Sequence, residues 1–407
     1  MPDREQGFVI VGGGLAGAKA AQTLREEGYE GPVTLIGEEL AWRPYERPPL
    51  SKGVLLGKEP PEKALVFPDG WEHEHEVTLL LGTTVVSIDR SAHQVALHED
   101  SRIPYDRLLL TTGASARRLD VPGTTLPSVH YLRTMGESLA LREALAPGDK
   151  RVVVIGAGWI GLEVAAAARS YGNDVTIVEP EAAPIYRAVG AELGEIFAEL
   201  HRSHGVELLL GEGANAVREG SVLTGGDREL PADVVIIGIG AQPNSGLAQE
   251  AGLEVDNGIV VDAALRTSDP DIFAAGDVAN AYHPLLKTHI RVEHWANALN
   301  GGPAAARSML GQEVSYDRIP YFFTDQYDLG MEFSGVAAPG DYDEVVFRGD
   351  VKGLEFIAFW LAGDRVVAGM NVNVWDVADD IQALIRSGAA VDRDRLTDTA
   401  VPLTELR

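Results

Sequence analysis

Blocks of consecutive apolar residues, each about one strand long, punctuate the first two thirds of the chain at 8–11, 108–110, 152–155 and 234–237. Unbroken apolar runs, unlike alternating ones, are what a strand buried on both faces requires, and parallel strands covered by helices meet that condition. The run Phe8–Val11 leads into Gly12, Gly14 and Gly17 in the spacing G-x-G-x-x-G, followed by the helix-like stretch 18–25. This predicts a strand, a sharp turn and a helix. The first glycine permits the turn, the second lets a pyrophosphate approach the backbone, and the third lets helix and strand close together. A second strand over 31–38 ends in Glu38, about 20 residues past the last glycine, where an acceptor for a ribose hydroxyl belongs.

The pattern then repeats. A run over 151–155 leads into Gly156, Gly158 and Gly161, an alanine-rich helix follows, and a strand over 174–179 again closes on an acid, Glu179. Two complete fingerprints imply two nucleotide sites. Between them, 83–97 and 102–110 read as short strands of a β insertion, 108–114 as an apolar strand whose turn supplies backbone amides, and 135–145 as a helix. The Pro-rich, charged segment 42–52 reads as irregular. Past the second fingerprint come a β meander over 205–233, a buried strand over 234–244 with a glycine-rich end, strands at 259–262 and 272–277, and helix over 292–310. Beyond Pro320 the texture changes to strands at 321–333, 343–347, 354–361 and 365–374, then a helix to Arg386 capped by Asp376, the mark of a separate α+β domain.

Composition narrows the function. A net charge of −27 excludes nucleic acid and an anionic membrane surface as partners. The absence of cysteine excludes disulfides, thiolate metal sites and a redox-active disulfide. The start, Met1 to Gln6, carries no secretory pattern and no apolar run is long enough for a membrane span, so a soluble cytoplasmic protein is expected. The pairs His201/His204 and His73/His75 lack carboxylates at matching spacing, and no metal site is expected.

The segments 47–52 (Arg-Pro-Pro-Leu-Ser-Lys), 131–134 (Tyr-Leu-Arg-Thr), 267–277 (ending Ala-Ala-Gly-Asp), 293–298 (Glu-His-Trp-Ala-Asn-Ala) and 325–327 (Asp-Gln-Tyr) add a resemblance. Together they make the chain similar, over essentially its whole length, to the FAD-dependent pyridine nucleotide-disulfide oxidoreductases, and within them to the cysteine-free ferredoxin reductases. The resemblance implies an α/β, glutathione-reductase-like, three-layer fold: a discontinuous FAD-binding domain at 1–117 and 246–319, an NAD-binding domain at 118–245, and a C-terminal α+β domain at 320–407. It places FAD against Gly12, Gly14, Leu15, Ala16, Gly17, Glu38, Arg47, Lys52, Val85, Thr112, Gly113, Arg133, Gly276, Asp277, Glu293, His294, Trp295 and Phe323. NAD falls to Gly156, Gly158, Ile160, Gly161, Glu179, Arg187, Gly238 and Gly240. Where such reductases often carry Trp-Ser before Asp-Gln, this chain has Phe323-Thr324, which keeps an aromatic ring and loses the indole N–H.

Hydride transfer from a nicotinamide to a flavin needs alignment and a dry pocket more than acid–base chemistry, so no general base is nominated. Lys52 and Glu163 are the catalytic candidates, Glu163 reaching the nicotinamide side from its helix and pairing with Lys52. Glu179 favours NADH, because a carboxylate accepts from the ribose 2′-hydroxyl and repels a 2′-phosphate, while Arg187 keeps NADPH open. Without cysteine, flavin electrons must leave toward an external acceptor, and the resemblance implies a [2Fe-2S] ferredoxin or a rubredoxin, serving a cytochrome P450 or ring-hydroxylating oxygenase. A basic patch drawn from Arg43, Arg47, Lys287, Arg291, Arg307 and Arg318 would receive it, the reductase being a monomer or weak dimer. A flavoenzyme with a small-molecule acceptor and an NADH-binding protein resembling apoptosis-inducing factor are the alternatives.

Overall fold

A computed structural model describes residues 6–98 and 101–406, so all but Gln6 of the N-terminal stretch read for a leader lies outside it. The chain forms two compact units. The first takes in Met1–Arg47, Pro61–Ser115 and Ala241–Arg318; the second Pro48–Pro60, Ala116–Gly240 and Ile319–Arg407.

The first unit is built on a five-stranded parallel sheet in the order Ile272–Ala274, Arg107–Leu110, Phe8–Val11, Val33–Ile36, Val77–Leu80. The fingerprint strand is central and buried throughout, as its unbroken apolar run requires. Arg107–Leu110, expected in the β insertion, is instead a sheet strand. Its Leu-Leu-Leu run pairs Leu108–Leu110 with Val9–Val11, whereas the insertion is a three-stranded antiparallel sheet of Val85–Asp89, Gln94–Leu97 and Arg102–Pro104. Helices Leu15–Glu26 and Trp295–Met309 pack against each other at very close range. A Cβ on Gly302 would lie 2.2 Å from the Ala16 carbonyl oxygen, so only glycine admits that approach. Trp295–Met309 starts three residues later than its pattern suggested, with His294 as N-cap.

The second unit repeats the arrangement. Its parallel sheet runs Val206–Leu210, Asp174–Glu179, Arg151–Ile155, Val234–Ile237, Val129–His130. Val206–Leu210 was expected in the meander; its apolar face pairs with Val175–Glu179, leaving the meander to Ala214–Arg218, Ser221–Thr224 and Glu229–Pro231. Helix Trp159–Ser170 is buried without a break from Gly161 to Ala168, which its alanines make possible. Leu162, Val164, Ala165 and Ala168 join Phe333, Phe356, Trp360 and Met370 in one apolar core, so the parallel sheet and the C-terminal antiparallel sheet share an interior. That antiparallel sheet has the order Tyr321–Gln326, Leu329–Gly335, Arg365–Val372, Glu355–Ala362, Glu344–Asp350; the single strand expected over 321–333 is a hairpin turning at Tyr327-Asp328. Asp376 does not cap the last long helix. It sits at φ 61° just outside, and Val377 is the N-cap of Ala378–Ser387.

Candidate functional site

The two fingerprint turns share one construction. In the first unit Gly12 has φ 121°, and a Cβ there would stand 2.1 Å from the Thr111 carbonyl oxygen. A Cβ on Gly17 would meet the Gly12 oxygen at 2.2 Å, while nothing lies within 4 Å of the Cβ position on Gly14. In the second unit Gly156 has φ 103°, with the Gly238 oxygen 2.4 Å from its Cβ position, and Gly161 faces the Gly156 oxygen at 2.1 Å. Gly158 has no neighbour closer than 3.9 Å. In each turn the outer glycines are closed by backbone and the middle one opens onto space at a helix N-terminus. That is the cradle a pyrophosphate needs, so the residues present fit a dinucleotide at both places.

The acids closing the second strands differ. Glu38 is exposed beyond Val33–Ile36. Glu179 is buried, and its Oε2 accepts from the Ala157 N–H at 2.7 Å while Oε1 accepts from the Glu181 N–H at 2.9 Å. It ties the fingerprint turn to its own strand, and a carboxylate with about four acceptor positions keeps capacity for a ribose hydroxyl. Arg187 is drawn aside by Glu181, its Nε donating to Oε1 at 2.6 Å on the exposed rim. Ile160 is 43% exposed at the start of the helix Trp159–Ser170. Gly238 and Gly240 follow Val234–Ile237, and Gly240, at φ 95°, has open space at its Cβ position.

In the first unit Thr112 and Gly113 lie at the end of Arg107–Leu110, held by Asn244, whose amide donates to the Thr112 carbonyl at 2.8 Å and whose own carbonyl accepts from the Thr112 hydroxyl at 2.8 Å. Neighbouring Thr111 donates from Oγ1 to the Gly12 oxygen at 2.9 Å and fixes the turn. Gly276 has φ 75° and leads to buried Asp277. Arg291 donates to the Asp277 carbonyl at 3.2 Å and pairs with Glu293. Next to them, surrounding protein pushes the His294 imidazole down to about 4, the Asp277 carboxylate opposing, so the ring is neutral. Val85 opens the insertion. Arg47 lies 3.8 Å from Glu39, and Arg43 pairs with Glu72 and with Asp69 at 2.5 Å.

Lys52, Arg133 and Phe323 belong to the second unit. There Lys52 Nζ donates to Glu163 Oε1 at 2.7 Å with the carboxylate almost wholly buried. The same carboxylate accepts from the hydroxyl of Thr324 at 2.5 Å and, through Oε2, from that of Ser51. Burying an ion pair costs more than its attraction returns unless further hydrogen bonds fill the remaining lone pairs, and these two hydroxyls fill them. Phe323 lies 5.5 Å below the Lys52 ammonium. Arg133 stands before the helix Met135–Leu145, whose capping box joins Thr134 to Glu137; Glu137 also accepts from the Arg133 N–H at 2.8 Å.

Sequence reasoning missed Ser51, Thr111, Thr324 and Asn244 as supports. Their spacing from Glu163, Gly12 and Thr112 runs to more than 90 residues, so no local pattern marks them. Thr134-x-x-Glu137 was readable as a capping box.

Comparison with known proteins agrees. The pyridine nucleotide-disulphide oxidoreductase model matches residues 7–302 and a reductase C-terminal model residues 321–407. The chain belongs to the pyridine nucleotide-disulphide oxidoreductase family. It is 40% identical over 401 residues to the ferredoxin–NAD(+) reductase component of the anthranilate 1,2-dioxygenase system of Burkholderia cepacia, covering 97% of this chain and 98% of that one. It is 41% identical over 371 residues to rhodocoxin reductase of Rhodococcus erythropolis, covering 90% and 86%. Among solved structures, the covalent putidaredoxin reductase–putidaredoxin complex matches with a TM-score of 0.94 at 36% identity, over 99% of this chain and 98% of that one. The chain is accordingly an oxidoreductase that uses FAD and NADH. Among the described residues no helix is long and apolar enough to cross a membrane.

Proposed function

We propose that this chain is an NADH:ferredoxin reductase that passes electrons singly to a [2Fe-2S] ferredoxin or rubredoxin feeding a cytochrome P450 or ring-hydroxylating oxygenase. The observation that carries the reading is two intact dinucleotide cradles in a chain with no cysteine. Two sites supply a donor and an acceptor of hydride, and without a dithiol the electrons have no covalent route onward inside the protein. The reductase components and the reductase–putidaredoxin complex among its relatives support the partner class.

The division into 1–117 with 246–319, 118–245 and 320–407 is part of this proposal, as are a cytoplasmic setting and a monomer or weak dimer. The first fingerprint, Glu38, Val85, Thr112, Gly113 and the stretch Gly276 to Trp295 would hold FAD, together with Arg47, Lys52, Arg133 and Phe323. The second fingerprint, Glu179, Gly238 and Gly240 would hold NADH. Bound FAD supplies the conversion from a two-electron donor to one-electron acceptors. The chain's own part is to orient both dinucleotides on backbone N–H groups and to hold the Lys52–Glu163 pair in a fixed geometry.

Anaerobic titration with NADH checks this. The flavin absorbance bleaches at one NADH per FAD, and oxidised [2Fe-2S] ferredoxin then restores it with two ferredoxins reduced per NADH consumed. A flavin that NADH reduces but that only a quinone or dioxygen reoxidises would favour the small-molecule-acceptor alternative.

A further inference from the structure

From Glu163 a continuous line of hydrogen bonds leads away through the second unit. Thr324 Oγ1 donates to Glu163 Oε1 at 2.5 Å, so the hydroxyl's lone pairs are left to accept. Gln326 Nε2 donates to Thr324 Oγ1 at 3.2 Å. That fixes the amide's orientation, with its carbonyl turned to His201 Nε2 at 2.9 Å. A carbonyl can only accept, so His201 carries its proton on Nε2, and its Nδ1 is the acceptor facing the Tyr327 hydroxyl at 3.4 Å. His204 stacks on Tyr327 at 3.7 Å and closes the far end. Thr324, Gln326 and His201 are each no more than 1% exposed, where an unmade hydrogen bond is costly. Burial also pushes His201 down to about 4, with the Gln326 bond opposing, so the ring stays neutral.

Every donor in this line points the same way, toward the carboxylate. We propose that His201, Gln326 and Thr324 are positioning residues: a one-way hydrogen-bond chain that holds the Glu163 carboxylate in the single orientation in which it meets Lys52. The geometry leaves little freedom. Turning the Gln326 amide over would aim its carbonyl at a hydroxyl whose proton is already committed to Glu163, setting two acceptors face to face. Ser51 fixes the other carboxylate oxygen, so the chain and Ser51 together clamp both ends of the group. The inference rests on the proposed hydride transfer from NADH only for its kinetic consequence; the direction of the chain is a property of the protein alone.

Two measurements test it. Long-range 1H–15N NMR of the holoenzyme, with His201 assigned by comparison with His201→Gln, is expected to show a neutral Nε2–H tautomer from pH 5.5 to 8. A neutral Nδ1–H tautomer would mean that Gln326 faces the other way, and would overturn the proposal. In stopped-flow reduction of the holoenzyme, Thr324→Val is expected to lower the limiting rate about tenfold, the loss of one charge-assisted hydrogen bond, with the Kd for NADH little changed. Thr324→Ser should restore the rate, and Thr324→Val combined with Gln326→Leu should be no slower than Thr324→Val alone, because the chain is already cut. Wild-type rates in Thr324→Val, or multiplying losses in the double variant, would refute the positioning role; should Thr324→Val not fold, Thr324→Ser against Gln326→Leu gives the same comparison. A wild-type flavin that NADH does not reduce would refute the proposed function, while the NMR result would still decide the chain.

Discussion

Glu179 shows how one side chain serves fold and specificity together. Its carboxylate already accepts two backbone N–H bonds, from Ala157 in the fingerprint turn and from Glu181. What it offers a ribose is therefore a fixed acceptor whose orientation the turn itself sets. A 2′-phosphate brought to the same place would meet that charge, with Glu181 beside it, and Arg187 is held in an ion pair on the exposed rim. We expect kcat/KM for NADH to exceed that for NADPH. Glu179→Ala should lower the NADH value by roughly tenfold or more, since a hydrogen bond to a charged group contributes about 1.5–3 kcal/mol, while the NADPH value falls less or rises. Steady-state kinetics with ferricyanide as acceptor measure both, and an NADPH preference in the parent enzyme would contradict the assignment. An exposed pair such as Arg187–Glu181 is itself worth little, so Glu181→Ala alone should change the preference only slightly.

At the scale of elements, the glycine turns and the buried strands were legible because their causes are local. An apolar run with no alternation reports burial on both faces, and a glycine at φ 121° or 103° with a carbonyl 2.1–2.4 Å from its Cβ position has no substitute. The misplaced strands fail for the opposite reason. Arg107–Leu110 follows antiparallel strands in sequence and Val206–Leu210 precedes them, and only their partners across the sheet decide membership. Asp376 has a capping side chain one residue too early. Glu163 was picked out from its place on the helix, but the hydroxyls that complete its shell arrive from 112 and 161 residues away. The C-terminal segment contains another contact of this kind. Arg348 on Glu344–Asp350 donates to the carbonyls of Leu396, Asp398, Thr399 and Val401, tying the tail to the sheet with no carboxylate involved. Burial of the guanidinium lowers its pKa below the ordinary value, the Asp398 charge opposing. Arg348→Met should leave four carbonyls without that donor and destabilise the second unit by about 2–4 kcal/mol, seen as a drop of roughly 5–10 °C in its thermal transition. An unchanged transition would show that water replaces the guanidinium at no cost.

For the whole molecule the governing quantity is its charge of −27. A negatively charged protein partner is repelled at long range, so docking must rely on local cations and shape. Of the six candidates for a basic patch, Arg43, Arg291 and Arg307 are paired with carboxylates and Arg47 lies near Glu39. Lys287 and Arg318 are exposed. The central claim, that electrons entering from NADH leave through an iron–sulfur protein, is tested most directly by NADH-dependent reduction of cytochrome c with and without an added [2Fe-2S] ferredoxin. The account predicts slow reduction by the reductase alone and a rate that rises with ferredoxin until it saturates. A rate independent of ferredoxin, with NADH consumption unchanged, would contradict it.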